Sequence, residues 1–206
     1  MKTILVFDVE TTGLLPKNPT PGEIPYVIQF SFVLYDMETS SIIQKYNEYI
    51  KPPENVVIKP IITEITGITR ELLDEKGVDI TQALEAFHEA YVKTDLLVAH
   101  NIEFDRKMLI LESQMNYPFL IDTMRSCPKD EYCTMIHGID VCKIQRFNSR
   151  GSYFKHPKLV ELYRDLFNVD PVGLHDALID VMCCLRCFLK LKVQQTISQE
   201  VFDVWV

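Results

Sequence analysis

The spacing of apolar and polar residues predicts that the chain opens with strands and continues with helices. Residues 3–7 form an unbroken apolar or β-branched run that leads into two carboxylates, Asp8 and Glu10, before a glycine. Such a run is typical of a buried strand closed by a turn. Residues 26–35 then alternate between apolar and polar side chains, and residues 42–50 provide an antiparallel partner. The pattern therefore predicts a three-stranded meander at the start of the chain.

Helix start and stop signals mark the next part of the chain. Pro60 can begin a short helix that Gly67 ends, and Thr69 and Asp79 are residue types that cap helix N-termini well. Residues 96–99 form an apolar run that is too short for a helix, so they predict a further strand.

Helical periodicity predicts most of the remaining elements. Residues 102–115 carry apolar side chains at helical spacing, and residues 119–122 are interpreted as another strand. A strand–helix–strand order predicts a parallel addition to the opening meander. Residues 124–157 are less regular, whereas residues 158–166 and the stretch that begins near Asp176 predict two helices.

Composition limits the classes of protein to which the chain can belong. Residues 1–206, of which 47% are hydrophobic, are expected to form one domain with a sizeable core and a C-terminal tail at 194–206. No apolar run reaches the length of a membrane span, and the N-terminus does not resemble a signal peptide. The six cysteines follow no secreted pattern, so we expect a reducing, cytoplasmic environment and no membrane partner.

Two carboxylates at the end of the first strand suggest a metal site. Side chains two residues apart on a strand point to the same face, so Asp8 and Glu10 are expected to lie side by side. Without a counter-charge they repel each other and lose hydration, and a divalent cation removes both costs. A pair of solvated charges at a strand end is the alternative interpretation.

Three further residues could contribute to the same site. Asp180 lies between the apolar positions of the last helix and needs a partner such as a metal, unless it faces solvent. Asp105 falls in the first turn of a helix, where a carboxylate can also simply complement the helix dipole. His175 is best placed on the loop before the last helix, with Asp176 or His175 itself as the N-cap, although such a histidine is often a packing residue.

These residues form three motifs in the order of the chain. The motifs are Asp8-Val-Glu10-Thr-Thr-Gly13, Ala99-His-Asn101-x-x-Phe104-Asp105 and His175-x-Ala177-x-x-Asp180. They resemble the motifs of the DnaQ-like (DEDDh) 3′–5′ exonucleases, which are similar to the proofreading (epsilon) subunit of bacterial replicative DNA polymerase. Weaker similarities lie at Ile28-Gln29, Ile65-Thr-Gly-Ile-Thr69 and Lys158-Leu-x-x-Leu-Tyr163. The resemblance implies a ribonuclease H-like α/β fold, with a central mixed five-stranded sheet flanked by helices.

The resemblance also implies a reaction and a role for each motif residue. The family releases 5′-mononucleotides from a 3′ end with two divalent ions, Mg²⁺ or Mn²⁺, which carboxylate oxygens and water hold. Asp8 would bridge the two ions, and Asp105 would assist one of them. Glu10 and Asp180 would share the ion that holds the attacking water. His175 would act as the general base that takes the proton of this water.

Candidate substrate-binding residues lie next to the first motif and in a basic stretch further along. Thr11, Thr12 and Leu14 are candidates to hold the terminal nucleotide. Residues 143–158 include five basic and no acidic residues, interleaved with aromatics, which suits a single strand with stacked bases unless the stretch is only a solvated loop. The densest basic residues of this stretch are Arg146, Arg150 and Lys155.

The net charge of −8 argues against a protein that coats nucleic acid unspecifically, but it permits a substrate bound through metals and a local basic patch. The sequence therefore favours an active 3′–5′ exonuclease on single-stranded DNA in replication or repair, with a DNA polymerase as a candidate partner. An exoribonuclease and a catalytically silent accessory or nucleic-acid-binding subunit are the alternatives. A weaker hypothesis, with no common spacing behind it, is a zinc site formed by Cys127, Cys133, His137 and Cys142.

Overall fold

The computed structural model describes residues 2–205, whose central feature is a five-stranded sheet. Its strands are β1 (Thr3–Thr11), β2 (Val27–Asp36), β3 (Ser41–Tyr49), β4 (Leu96–Ala99) and β5 (Asp130–Cys133). Their spatial order is β3-β2-β1-β4-β5. The first three pair antiparallel, whereas β4 lies parallel to both β1 and β5. This is the mixed sheet that the sequence predicts.

Besides the sheet, the described residues form ten α-helices, a 3-10 helix (Pro21–Glu23), a π-helix (Leu189–Val193) and a separate hairpin. The helices are α1 (Pro60–Thr66), α2 (Arg70–Lys76), α3 (Ile80–Lys93), α4 (Ile102–Asn116), α5 (Pro118–Ser126), α6 (Thr134–His137), α7 (Ile139–Cys142), α8 (Leu159–Phe167), α9 (Ala177–Phe188) and α10 (Gln199–Trp205). The hairpin pairs β6 (Gln145–Asn148) with β7 (Gly151–Phe154). None of these helices is long and apolar enough to cross a membrane.

The helix caps confirm several local predictions. Gly67 follows α1 with a φ of 73°, a left-handed conformation that glycine adopts without steric cost. The Thr69 side chain accepts a hydrogen bond from the Leu72 N–H, and the Asp79 side chain accepts one from the Thr81 N–H. Each bond satisfies a backbone donor that the first turn of a helix would otherwise leave unpaired.

Alternate residues of β1 pack on opposite faces of the sheet. Ile4 and Val6 contact an apolar cluster that includes the buried side chains of α8 and α9. Leu5 and Phe7 contact a second cluster that includes α3 and α4. Because helices cover both faces, β2 is buried along nearly its whole length. Residues that follow this alternation toward the end of β1 therefore point either to α9 or to α4.

The predicted strand at residues 119–122 is wrong, because these residues form part of α5. Pro118 is the first residue of this helix, and Leu120 and Ile121 bury one side of it. The fifth strand is instead β5, which lies within residues 124–157, where the sequence pattern was less regular.

The C-terminal segment packs against the domain as far as it is described. The Phe202 side chain on α10 is buried, and the Arg186 guanidinium lies 5.2 Å from its ring centre. Arg186 also lies over the rings of Tyr163 and Phe167, at 5.4 and 4.4 Å. A weakly hydrated guanidinium is stabilised by such ring faces, so this contact ties α10 to α8 and α9.

Candidate active site

The carboxyl ends of three strands bring the first two motifs together. β1, β4 and β5 are parallel, so they all end at the same edge of the sheet. Asp8 and Glu10 lie near the end of β1 on the face of Ile4 and Val6, which is the face that α9 covers. We call this edge of the sheet, which carries the two carboxylates and the ends of β4 and β5, the catalytic edge.

Asp105 reaches this edge from the first turn of α4. Its side chain is buried, and one carboxylate oxygen accepts a hydrogen bond from the Val9 N–H at 3.2 Å. Asn101, just before the helix, has a φ of 74°, which asparagine tolerates better than most residues. The turn and the hydrogen bond together hold the Asp105 carboxylate beside the end of β1.

The third motif reaches the catalytic edge through a loop and the first turn of α9. Asp176 is the N-cap, and it accepts hydrogen bonds from the Leu178 and Ile179 N–H groups at 3.0 and 3.3 Å. His175 precedes it with a φ of 72°, and its N–H donates to Asp180 at 3.2 Å. The prediction that His175 lies on the approach loop is confirmed, and of the two predicted N-caps, Asp176 and His175, the structure has Asp176.

The five predicted motif residues are gathered at one place. Glu10, His175 and Asp180 each offer a ligand atom, and these atoms lie within 4.8 Å of one another. Asp8 and Asp105 interact electrostatically with the same Asp180 carboxylate. Side chains from β1, α4 and α9, which are far apart in the sequence, therefore share one site.

Burial and mutual repulsion oppose ionisation of these carboxylates. Burial, followed by the charges of Asp105, Asp180 and Glu10, raises the pKa of Asp8 well above its ordinary value. Burial is also the main reason that the pKa of Glu10 rises to about 8 and those of Asp105 and Asp180 to about 7. In residues 2–205, none of the four forms an ion pair with a lysine or arginine. Among these residues, the cluster therefore lacks a lysine or arginine partner.

One oxygen of the cluster has no partner at all among the described residues. Asp180 Oδ1 is buried and accepts no hydrogen bond, whereas its other carboxylate oxygen accepts from the His175 N–H. An unpaired buried carboxylate oxygen is costly unless a cation meets it. The residues present thus fit divalent metal ions, which prefer hard carboxylate oxygens as ligands.

A partly buried network of hydrogen bonds supports the start of α9, and the sequence analysis assigned no role to it. Gln29 on β2 donates through Nε2 to Asp176 at 3.0 Å and to Asn47 at 3.1 Å. Its Oε1 accepts from the Ala177 N–H at 3.2 Å. In the sequence, the only sign of this network is that two polar residues, Gln29 and Ser31, interrupt a largely apolar strand. Their burial indicates a positioning role for the network.

The candidate nucleotide-binding residues next to the first motif differ in their surroundings. The Thr11 hydroxyl donates to a backbone carbonyl two residues further on, and the Thr12 hydroxyl accepts from the Tyr26 N–H at 3.0 Å. Both hydroxyls thus stabilise the turn after β1. Leu14 is 88% exposed and lines an open cleft of about 580 Å³, together with residues such as Val57.

The predicted basic residues lie on the hairpin of β6 and β7 or directly after it. Arg146 is on β6, Arg150 is in the turn, and both are exposed. Lys155 differs, because its ammonium lies 2.7 Å from both carboxylate oxygens of Glu161.

The structure does not support the zinc hypothesis. Among the described residues, Cys127, Cys133, His137 and Cys142 do not come together as a set of metal ligands. The Nδ1–H group of His137 instead donates a hydrogen bond to the Cys133 carbonyl at 2.9 Å, and Cys127 is exposed. All six cysteines are free thiols, and Cys184 and Cys187 are buried packing residues.

Comparison with known proteins places this arrangement in a family. Residues 5–188 match the RNase_T exonuclease family. The PolC-type DNA polymerase III of Mycoplasmopsis pulmonis is 35% identical over 105 residues, which are 51% of this chain and 6% of that protein. The ERI1 exoribonuclease 2 of Danio rerio is 22% identical over 187 residues, which are 86% of this chain and 30% of that protein.

A solved structure has the same fold. E. coli Exonuclease I in complex with a dA16 oligonucleotide superposes with a TM-score of 0.68 and 20% identity, over 99% of this chain and 43% of that chain. The present chain thus spans less than half the length of each of these relatives. The sheet, its helices and this match confirm the predicted ribonuclease H-like fold class. The chain belongs to the RNase_T family of exonucleases and carries a DnaQ-like exonuclease domain.

Proposed function

We propose that this chain is a metal-dependent 3′–5′ exonuclease that releases 5′-mononucleotides from a single-stranded nucleic acid, with DNA as the favoured substrate. The observation that carries the proposal is that Asp8, Glu10, Asp105 and Asp180 converge next to His175, with no lysine or arginine paired to them in residues 2–205. A protein that only bound nucleic acid would gain nothing from buried carboxylates, which repel a polyanion.

The carboxylates are the residues that would hold the metals. Asp8, Glu10, Asp105 and Asp180 supply enough oxygens for two divalent ions, and Mg²⁺ or Mn²⁺ fits this donor set. When bound, such a pair of ions supplies an activated water and stabilises the departing 3′ oxygen. The unpaired Asp180 Oδ1 and the raised pKa of Glu10, about 8, support a cation at this place.

His175 is the proposed general base of the reaction. Its backbone is held by the hydrogen bond to Asp180, so the exposed imidazole is presented at the cluster. A ring nitrogen can there accept the proton of the attacking water. Because the same ring lies close enough to Glu10 and Asp180 to be a metal ligand, its role needs a test that separates proton transfer from metal binding.

DNA and RNA are both candidate substrates, and the comparisons favour DNA. The Exonuclease I structure contains a deoxyoligonucleotide, and the PolC-type relative is a DNA polymerase. RNA is the second candidate, because the Danio rerio relative that covers most of this chain is an exoribonuclease. Association with a DNA polymerase, in replication or repair, belongs to the same proposal and rests on the PolC similarity.

The proposal is tested by degradation of substrates labelled at the 5′ end. Matched single-stranded DNA, mismatched duplex and RNA would be incubated with Mg²⁺ or with a chelator. We expect a ladder that shortens from the 3′ end, 5′-mononucleotides as product, faster loss of DNA than of RNA and no reaction in chelator. Absence of Mg²⁺-dependent shortening on all three substrates would contradict the proposal, and faster loss of RNA would replace the favoured substrate.

A further inference from the structure

The hairpin of β6 and β7 is exposed to an unusual degree for a segment with three large aromatic residues. Every residue of both strands is exposed, and the two strands form a sheet of their own. Phe147 is 77% exposed, and Tyr153 and Phe154 are each 48% exposed. Exposed aromatic clusters of this kind mark interaction surfaces, and an isolated two-stranded hairpin is itself only marginally stable.

The register of the hairpin gives each face a distinct chemistry. Arg146 lies opposite Tyr153, so a cation and an aromatic ring share one face. Phe147 and Phe154 are diagonal neighbours, so both rings lie on the other face. Nucleic-acid backbones bind cations, and bases stack on aromatic rings, so both faces match parts of a single strand.

The positive charge of this hairpin is not used within the domain. Among the residues that the structure describes, the side chains of Arg146 and Arg150 form neither an ion pair nor a hydrogen bond. They lie in a stretch of five basic and no acidic residues, 143–158, in a chain of net charge −8. A partner of opposite charge, namely a polyanion, is therefore the occupant that this surface fits.

The base of the hairpin is fixed to the catalytic edge. His100 follows β4 and lies five residues before Asp105; its Nε2 donates to the Pro157 carbonyl at 3.1 Å. Its Nδ1 accepts from Thr134, which follows β5, at 3.0 Å. The ion pair of Lys155 with Glu161 attaches the same base to α8. The segment that directly follows the hairpin is thus tied to the catalytic edge and to α8.

We infer that the hairpin is a binding arm for the single strand that extends from the active site, with Arg146 and Arg150 on its phosphates and Phe147, Tyr153 and Phe154 on its bases. The inference rests on the proposed function and deepens it, because the carboxylates account only for the terminal phosphates. Lys155, although basic, anchors the arm and is not one of its phosphate contacts.

The test measures binding of labelled oligothymidylate and oligouridylate of about 20 nucleotides, long enough for the site sizes of 4–16 typical of such proteins. Dissociation constants would be measured in chelator across a salt series. For Arg146→Ala with Arg150→Ala, we expect the slope of log affinity against log salt to flatten by about 1.4, at ~0.7 per phosphate contact. For Phe147→Ala with Phe154→Ala, we expect at least about fivefold weaker binding at every salt concentration and an unchanged slope.

The matched control removes the same charge elsewhere. Lys2 and Lys93 are both exposed. Lys2 precedes β1, and Lys93 is the last residue of α3, where its carbonyl accepts from the Thr3 hydroxyl, so both lie at the edge of the sheet opposite the carboxylates. Lys2→Ala with Lys93→Ala should leave the slope within error of the wild type. Thermal melting of every variant checks folding, which substitution of exposed side chains should leave intact.

The outcomes separate the arm from the proposed function. If the arginine variant keeps the slope of the wild type, or if the control flattens it equally, the hairpin does not contact phosphates and the inference is wrong. A phenylalanine variant that changes the oligomeric state but not the affinity would make this face an interface between copies. Wild-type hydrolysis of a dinucleotide in Mg²⁺ tests the exonuclease proposal independently, because a dinucleotide is too short to reach the arm.

Discussion

The carboxylate cluster and the hairpin arm, β6 and β7, are proposed to bind the same substrate, yet they differ in burial, in charge and in how the chain builds them. The cluster is largely buried, acidic and assembled from three distant motifs, whereas the arm is exposed, basic and built from a short stretch of the chain. Chemistry at phosphorus requires a geometry fixed to fractions of an ångström, so its residues are on elements that the core holds rigid. Contact with a flexible strand requires only charge and ring surface, which a hairpin provides without a core of its own.

The same contrast explains where the unfavourable interactions lie. Buried carboxylates with raised pKa values destabilise the metal-free domain, and a domain of this size can tolerate such a cost only at a few positions. The arm has no comparable internal repulsion, since Arg146 and Arg150 are solvated. Substitutions in the cluster should therefore change the rate strongly, and those in the arm should change mainly the affinity for long strands.

The largest effect is expected from Asp8→Ala. Loss of this carboxylate should abolish turnover, because the resemblance assigns it to both ions. The metal-free protein should keep its fold and melt at a slightly higher temperature, since repulsion from Asp105, Asp180 and Glu10 is relieved. Hydrolysis of a labelled single strand in Mg²⁺ measures the first effect, and a thermal scan in chelator measures the second. Wild-type turnover in Asp8→Ala would show that the site is misplaced.

Substitution of two neighbouring aspartates at the start of α9 should affect the rate very differently. Asp180→Asn should lower the rate by orders of magnitude, because it removes the charge but keeps an oxygen that can accept from His175. Asp176→Asn should change the rate little, because asparagine also caps helices, at a cost of about 1 kcal/mol or less for the altered contact with Gln29. Steady-state rates of both variants decide the matter, and equal losses would contradict the assignment of ligand and cap.

His175→Ala should have an intermediate effect on catalysis. Loss of a general base typically slows a reaction by about 10²–10⁴. The dependence of the rate on pH should differ between the wild type and the variant, because only the wild type has a general base at this position. Calorimetric titration with Mn²⁺ separates the two roles that the geometry permits: unchanged affinity supports the base, whereas a large loss makes His175 a ligand. An unchanged rate and pH profile would remove His175 from the mechanism.

The sequence analysis succeeded where a feature depends only on the repeat of a single strand or helix. Asp8 and Glu10 share a face because strands alternate, and the five-residue separation of His175 from Asp180 excludes a common helical face, which placed His175 on the loop. Helix caps at Thr69 and Asp79 were equally local. Each of these predictions needed no knowledge of which elements pack together.

The parts that were not predicted depend on packing between distant segments. Residues 119–122 are a short apolar run, which periodicity alone cannot assign to a strand or a helix. Pro118 directly before them favours a helix start, since proline is common at the first helical position. The edge strand β5 has only two buried residues, so its sequence looks polar. The bonds of Gln29 to Asp176 and Asn47 depend on three elements at once, and no local pattern reveals them.

The smallest predicted effect is the pH dependence of stability in the metal-free protein. The pKa values of Asp105 and Asp180, about 7, and of Glu10, about 8, lie above the ordinary values of 3.8 and 4.5. The folded chain therefore binds more protons than the unfolded chain between about pH 4 and 8, so the free energy of unfolding falls as the pH rises through this range. Below it, this contribution to stability is fully present.

Thermal or urea unfolding in chelator, at several pH values between these limits, measures that decline. Saturating Mg²⁺ should flatten it, because the ions favour the ionised carboxylates of the folded state. Asp8→Asn should also flatten it, because one buried charge is removed, whereas Asp140→Asn, on the exposed surface of α7, should not. Stability that rises between pH 5 and 8 in chelator would mean that the carboxylates are already compensated within the chain. In that case the cluster would not be waiting for a cation, and this difference between the cluster and the arm would disappear.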